Sequence, residues 1–353
     1  MVDASKIQQA QSLVRDVISK QNAVYIKELL REHDVPVKAS ALKPELTALL
    51  SDAIHEERID LEKLIEWIDQ TEGWGDEHVY LFDVAKTFCE KPCWKDGNSV
   101  RKHVTAVKQL AALFGADTSV EYPPDRTLTG IRFDEASHEL TCVWHKGMRF
   151  EQRVKSRDIP PRLADDGEMY YYKAYREAAR RTVARVAFRP RSALAAVFLP
   201  GVSEPKTHAT ERTAMLGEVR AILEVDEQRI CSMADAIKAL DAKANTKAGS
   251  KTLQARSTRL NAQQGDAYVE FASQTNQGYA HYDAVMKVRK AVTPKEFIGT
   301  GATFHFTLSP IAGKDRDVRV NLYGGTIHRI RMWKHLKRED VWLVLAAIRS
   351  ALP

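Results

Sequence analysis

Two hydrophobic periods alternate along the chain. Through residues 7–70 apolar positions recur every three to four residues, which predicts amphipathic helices. Asp60 is placed to cap a helix through Ile68, with Leu61, Leu64, Ile65 and Ile68 on one face. The Gly-Trp-Gly at 73–75 ends that run, and His78 to Phe88 reads as a further helix. Asn98 or Ser99 is placed to cap another, carrying Val100, Val104, Val107 and Leu110. The period then falls to two. Thr127 to Phe133, Glu139 to His145 and Met148 to Lys155 read as three strands, separated by "DEAS" and "KG" turns. Met169 to Phe188 reads as a helix that Pro190 ends. A long amphipathic helix over about 210–240 follows, built on Ile230, Met233, Ile237 and Leu240. Residues 241–262 contain no aromatic residue and read as a flexible linker.

The end of the chain is β again. Phe304, Phe306 and Leu308 alternate, and so do Val318, Val320 and Leu322. Tyr323-Gly324-Gly325 then leads into Ile330 and Met332. A two-residue turn would place Arg329 and Arg331 on the apolar face. A three-residue loop with a left-handed glycine pairs Val318 with Ile330 and puts Arg319, Arg329 and Arg331 together on the opposite face, so that loop is the expectation. A closing helix over 338–351 carries Val341, Leu343, Val344 and Ile348.

The pattern predicts an α+β fold: an N-terminal helical bundle, a central antiparallel β-meander with a basic helix, and a C-terminal antiparallel sheet plus helix. The expected divisions are residues 1–75, 76–205, 206–262 and 263–353. With 353 residues, several such units can each bury a core. Four cysteines argue against a disulfide framework and for a reducing compartment. The start shows no basic region followed by an apolar run, and the longest apolar stretch, Ala193 to Pro200, is too short for a membrane span. The expected setting is cytoplasmic and nucleoid-associated, or nuclear in a eukaryote.

Charge changes this picture. The chain carries a net +6, but residues 1–75 hold 9 basic and 14 acidic side chains, so the remainder is net +11. Between Lys173 and Arg191 there are seven basic residues against Glu177 alone. On a helix, Arg181, Arg185 and Arg189 form one stripe and Lys173, Arg176 and Arg180 its neighbour. A second cluster, "TIHRIRMWKHLKR" at 326–338, holds Arg329, Arg331 and Lys334 with no acid. Arginine suits phosphate because its planar fork donates two hydrogen bonds at once. These residues, with Arg191, Arg153 and Lys155, are expected to form one groove over a DNA backbone, without base-edge readout. Tyr170, Tyr171 and Tyr172 read as the hydrophobic entry to the basic helix, with base stacking as the alternative.

Residues 25–54, "YIKELLREHDVPVKASALKPELTALLSDAI", resemble a SAP-type helix–turn–helix, which implies DNA contact through Lys38 and Lys43. The loop glycine and second-helix arginine of that pattern are absent and the segment is acidic, so a scaffold role stands beside DNA reading. Over most of the chain the order of elements is similar to the centromere protein N family, on "LKPELTALLSDAIHEERIDLEKLIEWIDQ", "HVYLFDV", the meander and "KAYREAARRTVARVAFRPRSALAAVFLPG". That resemblance implies a non-enzymatic protein that engages double-stranded DNA through a basic groove, and a C-terminal sheet that pairs with a partner. The expected protein partner is a second copy or a related chain, through that sheet or through helix 210–240.

The enzymatic alternative is a Mg²⁺-dependent nuclease. Asp125 before one strand and Glu151-Gln152-Arg153 on a later one approximate two metal-holding carboxylates and a supporting cation. Otherwise no cofactor is expected. Cys89 and Cys93 lie four apart with His103 downstream, but a fourth zinc ligand is missing and they read as inert cysteines. No phosphate-loop, dinucleotide, hydrolase-elbow or zinc-protease motif occurs. A protein-interaction scaffold is the third reading.

Overall fold

A computed structural model describes residues 4–116, 123–201, 204–246, 251–262, 268–273, 278, 287, 297–311, 314–333 and 336–352. It is an α+β protein. Four helices open it: α1 (Ala4–Asp16), α2 (Ala23–Glu32), α3 (Lys43–His55) and α4 (Leu61–Thr71). Asn22 and Asp60 cap α2 and α4 through their side chains, accepting from Val24 N and Lys63 N. Leu13, Ile18, Ile26, Leu30, Leu46, Leu50, Leu64 and Ile68 meet in a separate small core.

The rest is organised on one ten-stranded sheet, antiparallel throughout, in the order β2-β3-β6-β7-β1-β12-β11-β10-β8-β9. The strands are β1 (Glu77–Asp83), β2 (Thr127–Asp134), β3 (Glu139–Arg153), β6 (Tyr175–Arg189), β7 (Leu194–Pro200), β8 (Leu253–Ala262), β9 (Tyr268–Ala272), β10 (Phe297–Ile311), β11 (Lys314–Tyr323) and β12 (Arg329–Met332). A small hairpin of β4 (Ile159–Leu163) and β5 (Met169–Tyr172) stands apart. Further helices are α5 (Lys86–Cys89), α6 (Gly97–Thr105), α7 (His208–Val219), α8 (Met233–Ala244) and α9 (Arg338–Arg349).

Strand alternation splits the packing. On β1, Tyr80 and Phe82 face one side and join Trp144, Val186, Val197 and the apolar faces of α6 and α7. Val79 and Leu81 face the other and join Phe198, Phe304, Val320, Ile330, α8 and α9. Each half of the sheet is thus covered by helices, but on opposite faces. Burying this much aromatic and aliphatic surface contributes roughly 25 cal/mol per Å².

Several expectations are corrected here. The basic segment is not a helix: Met169 to Phe188 forms β5 and β6. Spacings of four are even, so on a strand Arg181, Arg185 and Arg189 still share a face. His78 to Asp83 belongs to β1, whose burial on both sides removes the alternation that marks a strand. Glu139 to Arg153 is one strand running straight through Lys146-Gly147. Helix 210–240 is two helices with a 3₁₀ turn between them, and the linker at 241–262 contains β8. The final hairpin pairs Leu322 with Ile330 and Val320 with Met332, leaving a five-residue loop that contains left-handed Gly325. That shift of register is even, so Arg319, Arg329 and Arg331 still share the face opposite the core. On α9, Leu343 is exposed rather than packed.

Candidate nucleic-acid interface

The central arginines are held inside the protein. Arg181 donates from Nε and Nη2 to the Glu72 carboxylate at 2.8 and 2.6 Å, and its side chain is 2% exposed. Arg185 donates to the Gly73 carbonyl at 2.8 Å and to the Glu72 carbonyl, lies over the Trp74 ring and faces Glu77 at 3.7 Å. Arg189 bonds Glu139 at 2.7 Å and stacks on Trp342 at 3.8 Å. Burial opposes the charged form of Glu72, but Arg181 outweighs it and lowers the carboxyl below its ordinary value. Glu77 is moved the other way: burial raises it well above the ordinary value despite Arg185.

These contacts also account for much of the charge asymmetry. The acidic N-terminal unit docks on the basic sheet through Glu72–Arg181 and Asp69–Arg132, and on the start of α9 through Glu28–Lys337. Arg185 shares a face with Phe198 and Val79, whereas Arg331 pairs with His78 on the opposite face. The two basic clusters therefore do not converge on one groove, and Arg181, Arg185 and Arg189 are withdrawn from it.

The C-terminal cluster has a different setting. The expected DNA contacts Arg329 and Arg331 are themselves buried, 8% and 7% exposed, but among the described residues no helix packs on the face of β11, β10 and β8 that continues from them. Residues on this face fall into cross-strand rows. One row is Arg329, Tyr323, Gly301 and Arg259, and the next is Arg331, Asn321, Thr303 and Ser257. His305 lies opposite Arg319 in a third. Arginines stack on aromatic rings across it: Arg319 and Arg331 on Trp333 at 5.5 and 4.7 Å, Arg329 on Tyr323 at 4.4 Å, and Arg259 on Tyr268 at 4.0 Å. Arg319 and Arg259 are exposed, and Trp333 is 46% exposed. The alternation in β11 already placed Arg319 here. Arg259 was hidden by the linker reading of its segment, and the aromatic partners by their distance in sequence.

A second cationic surface lies on a β-arm. Beyond His145, β3 pairs among the described strands with β6 alone, from Lys146↔Thr182 to Arg153↔Tyr175. Eight pairs make a ribbon of about 26 Å, topped by the β4–β5 hairpin. Lys155, Arg157, Arg162, Lys173 and Arg176 are exposed on it. Tyr170, Tyr171, Tyr172 and Tyr175 are 44 to 71% exposed, so the tyrosines are not a buried helix entry. Arg153 is tied to Asp158 at 2.6 Å and Arg149 to Glu177 at 3.2 Å. Arg180 lies in the ribbon opposite Met148. Arg191 is exposed in the turn after β6, and Lys38 and Lys43 are exposed on the N-terminal unit. Lys334 lies outside the described residues.

The nuclease carboxylates are apart. Gly147 N donates to the Pro123 carbonyl, so Asp125 sits beside residues 145–147, while Glu151 is four or more positions further along the arm, about 13 Å away. Among the described residues no group of three or more His, Cys, Asp and Glu could hold a metal ion. Burial raises both the Cys89 and Cys93 thiols, and His103 bonds the Ile222 carbonyl at 3.0 Å.

Fold and site together define an α+β protein with a broad antiparallel sheet, half of one face left to arginine–aromatic stacks. No protein-family model matches the chain, and no curated protein matches it.

Proposed function

We propose that this is a non-enzymatic nucleic-acid-binding protein that grips double-stranded DNA by its backbone through the uncovered arginine–aromatic face, with the β-arm as a second contact. The supporting observation is the exposed pair Arg319 and Arg259, set against Trp333 and Tyr268 on one sheet face, with Arg329 and Arg331 buried beside them. Guanidinium groups held over rings are pre-oriented for phosphate, and exposed rings offer stacking surface to unpaired bases. The sequence resemblance to the centromere protein N family implies the same class of function, with chromosome organisation as the role, although the basic helix of that resemblance is a strand here. A second copy or a related chain would add to the outer edge of β9, the last strand of the sheet among the described residues; α7 does not serve for this, because Met215, Leu216 and Val219 are in the core. Among the described residues no helix is long and apolar enough to cross a membrane.

The test is fluorescence anisotropy with labelled duplex and single-stranded DNA at 50 and 200 mM salt, with and without Mg²⁺. Binding should weaken steeply with salt, with a slope of about −0.9 per phosphate neutralised. Arg319→Ala and Arg259→Ala should each reduce that slope by about 1 while leaving the fold intact. Absence of binding at 50 mM salt would favour the scaffold reading, and Mg²⁺-dependent cleavage the nuclease.

A further inference from the structure

Where the uncovered face meets α7, five polar side chains are buried together. His78 and Tyr80 on β1 lie beside Arg331 and Arg329 on β12, and His208, the first residue of α7, closes over them. The His78 and His208 rings are 4.6 Å apart, and Tyr80 and His208 share a 2.7 Å hydrogen bond between the phenol oxygen and Nδ1. All five are at least nine-tenths buried.

Three of their polar atoms are without a partner. These are Nε of Arg329, Nη1 of Arg331 and Nδ1 of His78. The carboxylates at this end are otherwise engaged. Asp76 accepts from Nη2 of Arg331 at 2.7 Å, Glu211 pairs with Arg126 at 2.8 Å, and Glu77 faces Arg185 on the other side of the sheet. Among the described residues none makes an ion pair with Arg329. A guanidinium buried without a counter-charge is costly, because desolvation is not offset. Gly201 seals one wall: a Cβ there would come within 2.5 and 2.6 Å of the Arg331 Nη atoms. The three groups share one sheet face. His78 is directly opposite Arg331, and Arg329 is two residues along, about 6.7 Å. Burial, then the charges of Arg331, His208 and Arg329, depress His78 to about 3, so its ring is neutral at physiological pH.

We infer that this buried polar cluster is an oxyanion site for a phosphate group, as inorganic phosphate or as a terminal phosphate monoester. Two guanidinium groups, one already sharing its charge with Asp76, match a dianion better than a carboxylate, and the imidazole supplies a third directional contact. The bound anion would be the missing counter-ion of Arg329. This rests on the nucleic-acid reading only for the biological source of the phosphate, since the chemistry of the cluster stands without it.

The experiment titrates inorganic phosphate, a 5′-mononucleotide and a DNA duplex into the full chain at constant ionic strength. It follows thermal unfolding and the imidazole NMR signals of His78. Phosphate should raise the unfolding temperature saturably and move the His78 signals, and chloride should do neither. Arg329→Met should lower phosphate affinity at least tenfold and, without phosphate, unfold at a higher temperature than the parent, because it removes an uncompensated charge. Arg58→Ala, on the N-terminal unit and paired with Glu56, should leave phosphate binding unchanged. A mononucleotide response with no phosphate response would assign the site to esters, and the reverse to the free ion. No saturable response to either, or a phosphate-free Arg329→Met protein less stable than its parent, would overturn the assignment. Duplex binding that persists when the phosphate response is absent would sink this site alone, and loss of duplex binding with the phosphate response intact would sink the nucleic-acid reading alone. Should Arg329→Met not fold, the parent's His78 signals decide.

Discussion

Replacing Arg181 by Met tests whether the central arginines hold the protein together or hold a ligand. Arg181 and Glu72 form two hydrogen bonds at 2.8 and 2.6 Å, with side chains 2% and 9% exposed. Charges about 4 Å apart at an effective dielectric near 20 attract by about 4 kcal/mol. Removing one member of such a buried pair costs about 3–5 kcal/mol, because the other is left buried and uncompensated. Urea unfolding of the full chain, followed by tryptophan fluorescence and circular dichroism, should show that loss for Arg181→Met at pH 7. The double variant with Glu72→Met should recover much of it. The pH dependence has a definite sign. The folded Glu72 carboxyl lies below its ordinary value of 4.5, so the pair's contribution is present above that value and is lost as pH falls through the lower folded one. The parent and Arg181→Met should therefore converge in acid. An Arg181→Met protein as stable as its parent, with weakened DNA affinity, would refute the clamp and restore the groove expected from the sequence.

Four further outcomes follow from the same geometry. Gly73→Ala should lower the urea midpoint by an amount equivalent to about 2–5 kcal/mol: Gly73 sits at φ +65°, and an added Cβ would lie 2.7 Å from Val183 Cβ and 2.8 Å from Arg185 Nη1. Gly115→Ala, at φ +73° in open space, should cost only about 1–2 kcal/mol in the same assay. Burial, with the nearby Arg181 charge, depresses His145 from 6.5 to about 4, so the unfolded chain takes up a proton that the folded one resists. Stability should fall by up to about 3 kcal/mol as pH drops from 6.5 to 4, and His145→Asn should flatten that slope in pH-resolved unfolding. Tyr171→Ala, at a site 71% exposed on the arm, should change stability by no more than about 0.5 kcal/mol. It should weaken single-stranded DNA binding by about 1–3 kcal/mol in anisotropy titrations if the arm stacks on bases.

Where one face of an element is buried and the other is wet, the sequence was readable. The N-terminal helices, β2, β10 and β11 all show this, and Val318, Val320 and Leu322 alternate with Arg319, Asn321 and Tyr323 as expected. Elements buried on both sides were not readable. In β1, the continuous run His78-Val79-Tyr80-Leu81-Phe82 carries no period, so strand and helix could not be told apart. β6 failed for a second reason. Its arginines are spaced by four, which places them on one side of a helix and equally on one side of a strand, and its alanines favour helix. The loop before β12 was misjudged by two residues, yet the facing of its arginines survived, because only an odd slip exchanges the faces of a strand.

The same distinction separates the two basic clusters. Density of arginine drew attention to residues 173–191, but density says nothing about where the counter-charges are. Glu72, Glu77 and Glu139 lie 50 or more positions away in sequence from the arginines they meet, and they are found only once the sheet is assembled. A positive run facing an acidic unit of its own chain is a docking surface within the molecule. The informative arginine is the one the fold buries with a phenol, Tyr80, as its hydrogen-bond partner and no described carboxylate beside it. Arg329 is 8% exposed, rests on a tyrosine ring and pairs with no described carboxylate. A chain under no demand but stability would gain by replacing it with an apolar residue. Its place beside a neutral histidine and the open nitrogen of Arg331 makes an anion the natural complement.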